Sequence, residues 1–452
     1  MGISRRSFIK MAAVGSAGFT VNRASRGLTA KSMRRIRGAN DRVRVGIVGF
    51  SDRAKSSLIP PFVQYARELN FEFVAVSELW SRRREEGVAF IKGLTGQTIT
   101  AARNNDELWE KIRPDAVIIS TADFQHALHT TDAVKAGCDV YVEKPFAETM
   151  EDNRAALKAV QESGRIVQVG SQRRSGANYI AACEYIQSGK FGPITMVEMT
   201  WNVNQPGRWR RPDLVAAIRE EDTDWKRYLL NRPYEAWNPR KYLEYRLFWP
   251  YSSGIPGQWM CHQIDTVHWF TELPHPRSAA ANGGIYVWKD GRENADTMTA
   301  VLDYGPLDDP KTGFQVVYSS RMHNSAGGVK EYYYSNGGKL DLDRNIVTPE
   351  GGLTQSAASA MGMKANLLAE FKLPAETAET AANTGSDPMT SNHMRNWMEC
   401  VRGRKTPHAD VVAGYRHAIA VIMTTAALHT GQRVTFDETT QEVMAGGKAF
   451  QY

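Results

Sequence analysis

Cysteine is scarce in this chain, and its spacing argues against a domain stabilised by zinc or by disulfide bonds. Four cysteines occur among 452 residues, and no two of them form a C-x-x-C pair. A structural zinc site or a disulfide framework needs clustered or regularly spaced cysteines. We therefore expect no metal site and no disulfide scaffold, and we expect the thiols to be buried as small apolar groups. They are Cys138, Cys183, Cys261 and Cys400.

Acidic residues are missing from the first forty residues, and this absence explains the basic charge of the whole chain. Residues 1–40 contain nine lysines or arginines and no acid, whereas the remainder contains 47 basic and 49 acidic residues. A nucleic-acid-binding domain would carry the positive excess itself. The charge therefore predicts no nucleic-acid partner, and the length and 42% hydrophobic content are typical of a globular protein of two or three domains.

The leader, residues 1–40, resembles a twin-arginine export signal followed by a linker. Its motif is Ser4-Arg5-Arg6-Ser7-Phe8-Ile9-Lys10, and a mildly apolar stretch runs from Met11 to Val21. That stretch is too short for a permanent membrane span, and no clean A-x-A cleavage site follows it. A basic arm with no targeting role is the alternative. The resemblance predicts a periplasmic or otherwise exported protein. Because the twin-arginine machinery moves folded proteins, it also predicts a tightly held cofactor.

Short apolar strands alternate with helical segments between residues 41 and 170. This alternation is typical of βαβ units and predicts an α/β fold with a doubly wound parallel sheet. Parallel strands that are buried on both faces are nearly continuous apolar runs, as these are. The predicted strands are 43–48, 71–77, 116–120, 140–142 and 166–169.

The pattern changes after residue 170, so we assign 171–452 to a second α/β domain. Longer alternating strands separated by Gly, Asn and Pro predict a large, mostly antiparallel sheet with helices on one face. Segments 393–402 and 411–429 have apolar residues at helical spacing and should close the structure. The segment 205–257 is a loop-rich insertion with several tryptophans. The Ala/Thr/Gly-rich segment 345–388 is expected to be mobile or loosely ordered, with an amphipathic turn around Leu367–Phe371 as a candidate for docking on the rest of the domain.

The glycine-rich fingerprint of dinucleotide binding is largely absent. The first strand runs into Gly49-Phe50-Ser51-Asp52-Arg53-Ala54, which is G-x-S-x-x-A where G-x-G-x-x-G is expected. Backbone N–H groups at Gly49, Phe50 and Ser51 can still approach a pyrophosphate, and the Ser51 hydroxyl can add a bond. The next strand ends at Glu78, whose carboxylate suits ribose hydroxyls, repels a 2′-phosphate and favours NAD over NADP. The neighbouring Arg82, Arg83 and Arg84 could attract a 2′-phosphate, and they therefore weaken the preference for NAD.

Polar residues follow the ends of two further predicted strands. Thr121 and Asp123 are expected beside the nicotinamide ribose, with His126 at the start of the next helix. Glu143 and Lys144 follow the strand 140–142, where an open α/β sheet presents its chemistry. A lysine beside a nicotinamide ring can exchange protons with a substrate hydroxyl during hydride transfer. The alternatives are a surface lysine before a loop proline and a purely structural His126.

Taken together, these segments resemble the Gfo/Idh/MocA family of glucose-fructose oxidoreductases and inositol dehydrogenases. The resemblance covers roughly residues 41–435. It implies an NAD-binding Rossmann domain at 41–170 and a substrate-binding domain whose sheet often forms an oligomer interface. The matching segments are Gly46-Ile47-Val48-Gly49, residues 120–126, Glu143-Lys144-Pro145-Phe146, residues 167–174, residues 246–249, and residues 262–265 with Trp269.

The resemblance implies that Lys144 and His262 are catalytic. Many members have an aspartate four residues before this histidine, and that position is Gln258 here. A neutral amide can orient an imidazole or bind a sugar hydroxyl, but it does not stabilise an imidazolium as a carboxylate does. Lys144 is therefore expected to carry more of the proton transfer. The alternative for His262 is a structural histidine on a buried helix.

The expected substrate is a sugar, a glycoside or a polyol, oxidised by hydride transfer to firmly bound NAD. Two other functions stay open: a glycosidase that uses transient oxidation and elimination, and a non-catalytic sugar-binding protein of the same fold. A homo-oligomer is expected, and the sequence does not predict the number of subunits. The expected substrate contacts are Arg173, Arg174, Arg246, Gln258 and Asp265, with tryptophans of the insertion as further candidates.

Overall fold

The computed structural model describes residues 42–309, 311–374 and 387–452. The leader motif, and with it the predicted export signal, lies outside the described residues. Two β-sheets organise the described part of the chain, one with six strands and one with eleven.

The six-stranded sheet is parallel, with the strand order β3-β2-β1-β4-β5-β6. The order reverses between β1 and β4, and this is the point where doubly wound folds bind dinucleotides, at the carboxyl ends of the strands. The strands are β1 (Val43–Val48), β2 (Phe71–Ser77), β3 (Thr100–Ala102), β4 (Ala116–Ile119), β5 (Asp139–Val142) and β6 (Val167–Val169).

The connecting helices start and stop at recognisable signals. The Thr149 hydroxyl accepts the backbone N–H of Asp152 at 3.1 Å and caps one helix, which ends at Gly164 in the left-handed conformation. The helices are α1 (Ile59–Leu69), α2 (Ser81–Thr95), α3 (Asn105–Glu107), α4 (His126–Lys135) and α5 (Met150–Ser163). Two π-helical segments, Ala54–Leu58 and Leu108–Ile112, precede α1 and follow α3, and a 3₁₀ turn, Asp123–Gln125, precedes α4.

The eleven-stranded sheet has the order β14-β13-β12-β11-β7-β10-β9-β8-β15-β16-β17. Its pairs are antiparallel except that β7 and β10 run parallel. The strands are β7 (Ile194–Asn202), β8 (Ser278–Gly284), β9 (Thr297–Tyr304), β10 (Phe314–Arg321), β11 (Val329–Ser335), β12 (Gly338–Asp341), β13 (Ile346–Thr348), β14 (Phe371–Lys372), β15 (Val434–Asp437), β16 (Glu442–Ala445) and β17 (Lys448–Ala449).

Helices cover one face of this second sheet, because its strands alternate buried and more exposed residues. The α-helices after residue 170, not all of which lie on this face, are α6 (Ala177–Gln187), α7 (Pro212–Ala217), α8 (Trp225–Leu229), α9 (Pro239–Leu243), α10 (Cys261–Thr271), α11 (Gln355–Ala360), α12 (Pro388–Gly403) and α13 (Val411–Thr430). A π-helical segment, Pro256–Met260, leads directly into α10, and 3₁₀ turns lie at Gln172–Ser175, Glu220–Asp222 and Tyr245–Leu247.

Two C-terminal helices are core elements. Helix α12 returns to the first sheet, where Trp397 packs against Phe71 and Tyr141 with ring centroids 6.3 and 5.9 Å apart. Helix α13 is long and apolar enough to cross a membrane, but 83% of its most apolar window is buried inside the protein. The burial identifies α13 as a core helix.

The fold confirms the predicted class, a doubly wound parallel sheet plus a large, mostly antiparallel one. The sequence did not reveal β3, because Thr-Ala-Ala is too short and too weakly apolar to stand out. The expectation of loose order after residue 345 was wrong for part of that segment, since β13, α11 and β14 lie within it. Phe371 of β14 stacks on Tyr185 with ring centroids 5.0 Å apart. Residues 375–386 lie outside the described part.

Candidate active site

A cavity of about 800 Å³ opens at the point where the order of the parallel sheet reverses. Its size is toward the upper end of the roughly 300–1,000 Å³ found for small-molecule and cofactor sites. Strand β2 ends at one side and β5 at the other, three strand spacings or roughly 14 Å apart. At the β2 side it is lined by Gly49, Phe50, Ser51, Ser77, Glu78 and Asn105; at the other by Lys144, Gln172, Arg208, Arg246, Gln258 and His262. We call these the Glu78 end and the His262 end.

Gly49 makes the turn after β1, and no other residue would fit there. Its φ is +83°, and a Cβ atom would lie 2.6 Å from Thr121 Cγ2 and 2.8 Å from the Ser120 carbonyl oxygen. The first glycine of the expected fingerprint is thus required by both its conformation and its surroundings. The turn brings the chain into a helical segment that begins at Asp52 and leads into α1.

Ser51 replaces the second fingerprint glycine, and its hydroxyl is used within the protein. It accepts the backbone N–H of Ala54 at 3.1 Å and lies 2.6 Å from the Ser120 hydroxyl. Ser51 is therefore the N-cap of the helical segment. Its side chain organises the turn, so any ligand contact that it adds is secondary to this role.

Asp52 has a charge that would oppose a pyrophosphate, but two arginines compensate it. Its carboxylate lies 3.0 Å from the Arg83 guanidinium and 3.3 Å from that of Arg211. Arg211 comes from the insertion, so this ion-pair group links the turn to the second half of the chain. These ion pairs reduce the repulsion that the Asp52 carboxylate would exert on a pyrophosphate.

Glu78 lies at the end of β2, as expected for an acid that contacts an adenosine ribose. Its carboxylate accepts the backbone N–H groups of Phe50 at 2.9 Å and Trp80 at 3.1 Å. These bonds fix both the Gly49 turn and the orientation of the carboxylate. The arginines that follow have other partners: Arg82 pairs with Glu86 at 3.0 Å, and Arg84 donates to the Glu78 carbonyl at 2.7 Å.

A hydrogen-bonded chain next to Glu78 was not predicted from the sequence. The Ser77 hydroxyl donates to Asn105 Oδ1 at 2.7 Å, and Asn105 Nδ2 lies 3.1 Å from His129 Nδ1. Burial lowers the pKa of His129 to about 3, so its imidazole is neutral and accepts this bond. The three residues are 28 and 24 positions apart, and no local pattern in the sequence marks them.

Thr121, Asp123 and His126 all line the cavity, yet their side chains have different environments. Thr121 Oγ1 is buried without a hydrogen-bond partner among the described residues. The Asp123 carboxylate accepts from the Ser252 hydroxyl at 2.6 Å and from the Gln258 amide, so that it is directed toward the second half of the chain. His126 Nδ1 lies 2.8 Å from the Pro145 carbonyl oxygen, and burial lowers the pKa of this histidine.

Glu143 joins the lysine loop to the first turn of the fold. Its carboxylate pairs with Arg53 at 2.9 Å, and Arg53 follows the Gly49 turn. Burial raises the pKa of Glu143, but the charges of Arg53 and Lys144 outweigh burial and hold it below its usual value. Glu143 is thus ionised and fixes the loop that carries Lys144.

Lys144 follows β5 and reaches toward the second half of the chain. Its Nζ donates to the Gln258 backbone carbonyl at 2.7 Å. Burial lowers the pKa of Lys144 below that of an exposed lysine, although nearby Glu143 and Asp123 oppose this effect. A lowered pKa brings an amine closer to reversible proton exchange at neutral pH.

His262 lies in the first turn of α10, at the same end of the cavity as Lys144. Its ring stacks on Trp201 with centroids 5.7 Å apart and planes 23° from parallel. Burial is the main cause that lowers the pKa of His262 well below its usual value, and the positive charges of Lys144 and Arg173 add to this effect. The imidazole is therefore neutral at physiological pH and can accept a proton.

Gln258 connects three groups that the sequence had marked separately. Its Oε1 accepts from Arg246 Nε at 2.8 Å, its amide nitrogen donates to Asp123, and its backbone carbonyl accepts from Lys144. Its side chain therefore does not orient His262, which the sequence allowed as a role. Because both of its amide atoms are bonded, Gln258 is a neutral bridge between a cation and an anion.

Three expected substrate contacts do not line the cavity. The guanidinium of Arg173 forms a buried ion pair with Glu331, and that of Arg174 binds Asp265 with two bonds of 2.8 and 3.0 Å. The prediction that Arg173, Arg174 and Asp265 contact substrate is therefore corrected: they join α10 and the 3₁₀ turn before α6 to the second sheet. Their partners lie 158 and 91 positions away, so the sequence could not separate ion pairing from binding.

The insertion supplies wall residues that the sequence marked only as a group. Trp209 of the insertion and Trp259 of the π-helical segment Pro256–Met260 both line the cavity, with ring centroids 5.3 Å apart. The Arg208 guanidinium lies over the Trp259 ring, 5.7 Å from its centroid. Aromatic faces of this kind suit the apolar faces of sugar rings. Within the described residues, no group of three or more His, Cys, Asp or Glu is placed to hold a metal ion.

Comparisons with solved structures agree with this architecture. The WlbA dehydrogenase of Bordetella pertussis, solved with NADH and UDP-GlcNAcA, superimposes with a TM-score of 0.61 at 17% identity, covering 88% of this chain and 99% of that one. An aldose-aldose oxidoreductase of Caulobacter crescentus gives a TM-score of 0.58 at 16% identity, covering 87% and 100%. At such identities the likeness shows the fold alone.

Sequence comparison identifies relatives that match part of the chain. A 1,5-anhydro-D-fructose reductase of Ensifer adhaerens is 28% identical over 198 residues, 42% of this chain and 56% of the relative. An inositol 2-dehydrogenase of Rubrobacter xylanophilus is 31% identical over 163 residues, 35% and 43%. The chain thus spans about half the length of these curated relatives. Residues 43–171 match the family model described as "Oxidoreductase family, NAD-binding Rossmann fold". This match covers the first domain, which is thus similar to the NAD-binding domain of the Gfo/Idh/MocA family.

Proposed function

We propose that the protein is an exported, NAD(H)-dependent oxidoreductase that acts on a sugar, a glycoside or a polyol. The observation that carries this proposal is the meeting of Lys144, with its lowered pKa, and the neutral His262 at one end of the cavity. The other end holds the ordered Gly49 turn and Glu78. Two groups suited to proton exchange and an acid suited to a ribose thus line one cavity.

The residues present fit a nicotinamide dinucleotide. The Gly49 turn leads into the start of a helix, where backbone N–H groups favour a pyrophosphate. The buried Thr121 Oγ1, without a partner among the described residues, is available to a ribose or an amide. When bound, the nicotinamide would accept or donate a hydride at the His262 end.

The proposal favours NAD over NADP. The Glu78 carboxylate is held in place by two backbone N–H groups and would oppose a 2′-phosphate. Arg82 and Arg84 have partners on the protein, and Arg83 pairs with Asp52 and Glu86. An NADP site would have to take one of these arginines away from its present partner.

Two residues of the protein would accept the substrate's hydroxyl proton and bind its oxygen. Oxidation of a carbinol removes a hydride from carbon and a proton from the hydroxyl, and the neutral imidazole of His262 can accept that proton. Lys144 Nζ has donors left after its bond to the Gln258 carbonyl and can hold the same oxygen. The neighbouring Trp209 and Trp259 would orient the ring and exclude water.

The substrate class is supported by the site and by the relatives. Relatives are named for 1,5-anhydro-D-fructose and for inositol, both of which are polyhydroxylated. A cavity with aromatic walls and planar donors suits such rings. We infer that this chain takes a substrate of the same chemical class.

Export follows from the leader motif around Arg5 and Arg6. Because free NAD is scarce outside the cytoplasm, an exported enzyme must keep its cofactor bound and regenerate it within the cycle. Either a second substrate is reduced, or oxidation is transient and a glycosidic group is eliminated before the hydride returns. Product analysis separates these two routes.

We also propose that the protein is a homo-oligomer that associates through the outer face of the second sheet. Val301, Val317, Glu198 and Tyr332 are neighbours across four adjacent strands on this face. All four are partly or fully exposed, and Tyr334 supports the row through a 2.7 Å bond to Glu198. A partly apolar sheet face of this kind is a common interface. Light scattering of the purified protein tests the association.

The test of the function uses purified protein to which no NAD has been added. A panel of sugars, glycosides and polyols is supplied while the absorbance of reduced nicotinamide and the products are followed. A rise in absorbance with a keto product supports the dehydrogenase. Glycoside cleavage without a lasting rise indicates the elimination route. Absence of reaction, with no nicotinamide released on denaturation, would contradict the proposal and favour a sugar-binding protein.

A further inference from the structure

The loop that carries Lys144 is bonded at a single peptide group to two buried histidines. The Pro145 carbonyl oxygen lies 2.8 Å from His126 Nδ1, and the Phe146 backbone N–H donates to His417 Nε2 at 3.2 Å. This carbonyl and this N–H belong to the same planar peptide unit and point to opposite sides of it. Neither histidine is more than 2% exposed, so the peptide is held from both sides in the interior of the protein.

The chemistry of the peptide determines which nitrogen of each ring carries hydrogen. A carbonyl oxygen only accepts, so His126 must carry a hydrogen on Nδ1. A backbone N–H only donates, so His417 Nε2 must carry a lone pair, and the ring hydrogen of His417 is on Nδ1. The two histidines therefore use different nitrogen atoms, one as a donor and the other as an acceptor.

An anchored carboxylate favours this form of His417. Asp265 Oδ1 lies 3.9 Å from His417 Nδ1, and the Arg174 guanidinium binds the same carboxylate with two bonds of 2.8 and 3.0 Å. Burial raises the pKa of Asp265, but the charge of Arg174, with contributions from His417, outweighs burial and holds it below its usual value. The ionised Asp265 attracts the hydrogen on Nδ1 and leaves Nε2 free to accept.

Helix α13 connects this peptide to the helix that carries His262. His417 lies in α13, whereas Asp265 lies in α10, three positions after His262. Helix α13 also packs closely against the loop, since a Cβ at Gly414 would lie only 3.0 Å from the Phe146 ring. The side chain of His417 thus joins the loop of the first domain to the helix of the second.

We propose that His126 and His417 are positioning residues, which clamp the peptide after Pro145 and thereby hold the Lys144 amine in place relative to His262. This inference rests on the proposed function, because it assigns a role in that reaction. A bond on each side of the peptide restricts its rotation, so the Lys144 side chain starts from a fixed backbone. Displacement of a reacting group by about 1 Å can lower a rate by about 10²-fold.

Hydrogen exchange of the Phe146 amide in the full chain measures the clamp directly. The rate is expressed relative to the amide of Ile118, a buried residue of β4, so that a uniform change in stability does not count. An asparagine amide lies near the place of Nδ1 in a histidine, and a glutamine amide near that of Nε2. We therefore expect His417→Asn to raise the relative rate at least about tenfold and His417→Gln to keep it within about threefold.

His126 should show the opposite pattern, because its bond uses Nδ1. His126→Asn keeps a donor at that place and should leave the relative rate within about threefold, whereas His126→Gln should raise it about tenfold. His275→Gln is the matched control, since His275 is 3% exposed and its Nδ1 lies 2.8 Å from the Pro276 carbonyl oxygen. It removes a similar bond elsewhere and should leave the relative rate of Phe146 unchanged.

Steady-state kinetics show whether the clamp serves the reaction. With a substrate from the panel, His417→Asn should lower kcat by about 10–10²-fold and leave KM and NADH affinity within about twofold. His417→Gln should recover most of kcat. A general loss of structure would weaken NADH binding as well, so the separation of these quantities distinguishes positioning from folding.

Two results would overturn the inference. Equal effects of asparagine and glutamine on exchange, at both histidines, would mean that the rings do not hold the peptide. Faster exchange of Phe146 with unchanged kcat in an active enzyme would mean that the peptide does not position Lys144. If the parent protein turns over no substrate, the proposed oxidoreductase function fails, whereas opposite exchange patterns at His126 and His417 still support the clamp. Should the His417 variants fold poorly, the His126 pair decides by itself.

Discussion

The two ends of the cavity differ in how the protein compensates charge. At the Glu78 end, the Asp52 carboxylate has two arginine partners, and the Glu78 carboxylate has two backbone N–H donors. At the His262 end, Lys144 donates to the backbone carbonyl of Gln258, and Arg246 donates to its side-chain amide oxygen. Charged groups at the first end are thus bonded directly to charged or backbone partners, whereas the two cations at the second end are bonded to Gln258, which connects them to the Asp123 carboxylate.

This difference indicates separate roles. Charges that are paired within the protein hold the Gly49 turn in one geometry, so its backbone is pre-organised for a cofactor. Charges bonded to neutral dipoles in a buried site interact strongly with any anion or developing alkoxide that arrives. The reaction would therefore draw on the His262 end, and the Glu78 end would provide a fixed platform.

The largest effect is expected at Lys144. Substituting Lys144→Met removes the amine and keeps most of the apolar stem, so we expect kcat to fall by about 10²–10⁴-fold, the usual contribution of a positioned acid or base. NADH affinity should be almost unchanged, because the Glu78 end is intact. Steady-state kinetics and NADH fluorescence titration measure the two quantities.

Lys135→Met is the control for this prediction, since Lys135 is exposed at the end of α4. It should behave like the parent protein in both measurements. If Lys144→Met keeps full activity, or loses NADH rather than turnover, then the proposed division of roles between the two ends is wrong.

Much of the first domain could be predicted from the sequence because its determinants are local. The strand Val43–Val48 is a buried apolar run, and the residues that follow strand ends, Gly49, Glu78 and Lys144, reach the cavity as expected. In a parallel sheet, the carboxyl end of each strand points to the same edge. Position along the chain therefore predicts position in the site.

The rest depended on contacts between distant residues. The side chain of Gln258 binds Asp123, 135 positions earlier, and Arg211 of the insertion pairs with Asp52, 159 positions away. The insertion has no helical or strand periodicity that would show which of its residues face the cavity. The same limit applies to Arg173 and Arg174, whose charges suggested binding but are paired within the fold.

The second effect in size is expected at the Glu78 end, where Gly49 and Gly96 form a matched pair. Both have positive φ, but a Cβ at Gly49 meets Thr121 and the Ser120 carbonyl, whereas a Cβ at Gly96 meets nothing within 4 Å. Gly96→Ala should cost about 1 kcal/mol of unfolding free energy, from backbone strain alone. Gly49→Ala should cost about 3 kcal/mol, since overpacking adds to the strain.

Urea unfolding compares the stability of these two variants, and NADH titration of the folded protein measures whether the Glu78 end still binds the cofactor. We expect Gly49→Ala to lose NADH binding and Gly96→Ala to keep it. Equal costs for the two alanines would mean that the close approach between the Gly49 turn and Thr121 is not required.

A smaller effect is expected at Gln258, in the His262 end. Replacing its amide with a carboxylate, Gln258→Glu, places a negative charge against Asp123 and removes the donor that Asp123 now binds. It also neutralises part of the charge of Arg246. We therefore expect kcat/KM to fall about tenfold, or about 1.4 kcal/mol, even though an acid at this position is common in the family that the sequence resembles.

Gln161→Glu, at an exposed position of α5, controls for the added charge. A rise in activity of Gln258→Glu would show that His262 gains from a nearby carboxylate. In that case the neutral bridge would not be the feature that maintains the uncompensated charge of the His262 end.

The smallest effect concerns Glu148, a buried acid behind the His262 end that would compensate the cations there if it were ionised. Its Oε1 accepts the Ser253 N–H and hydroxyl at 3.2 Å, and its Oε2 is buried without a partner among the described residues. Burial, with the charge of Asp123, raises the pKa of Glu148 above its usual value.

The folded protein therefore holds a proton on Glu148 that the unfolded chain releases. The stability of the folded protein is lost as the pH rises from the pKa of the unfolded chain to that of the folded protein. Gln mimics the protonated acid, so Glu148→Gln should gain stability relative to the parent between pH 5 and pH 8, by about 1 kcal/mol in urea unfolding.

The exposed Glu162→Gln should show no such trend with pH. A constant difference between Glu148→Gln and the parent at both pH values would mean that Glu148 is ionised in the folded protein. The His262 end would then carry a compensating carboxylate, and the contrast between the two ends would be reduced.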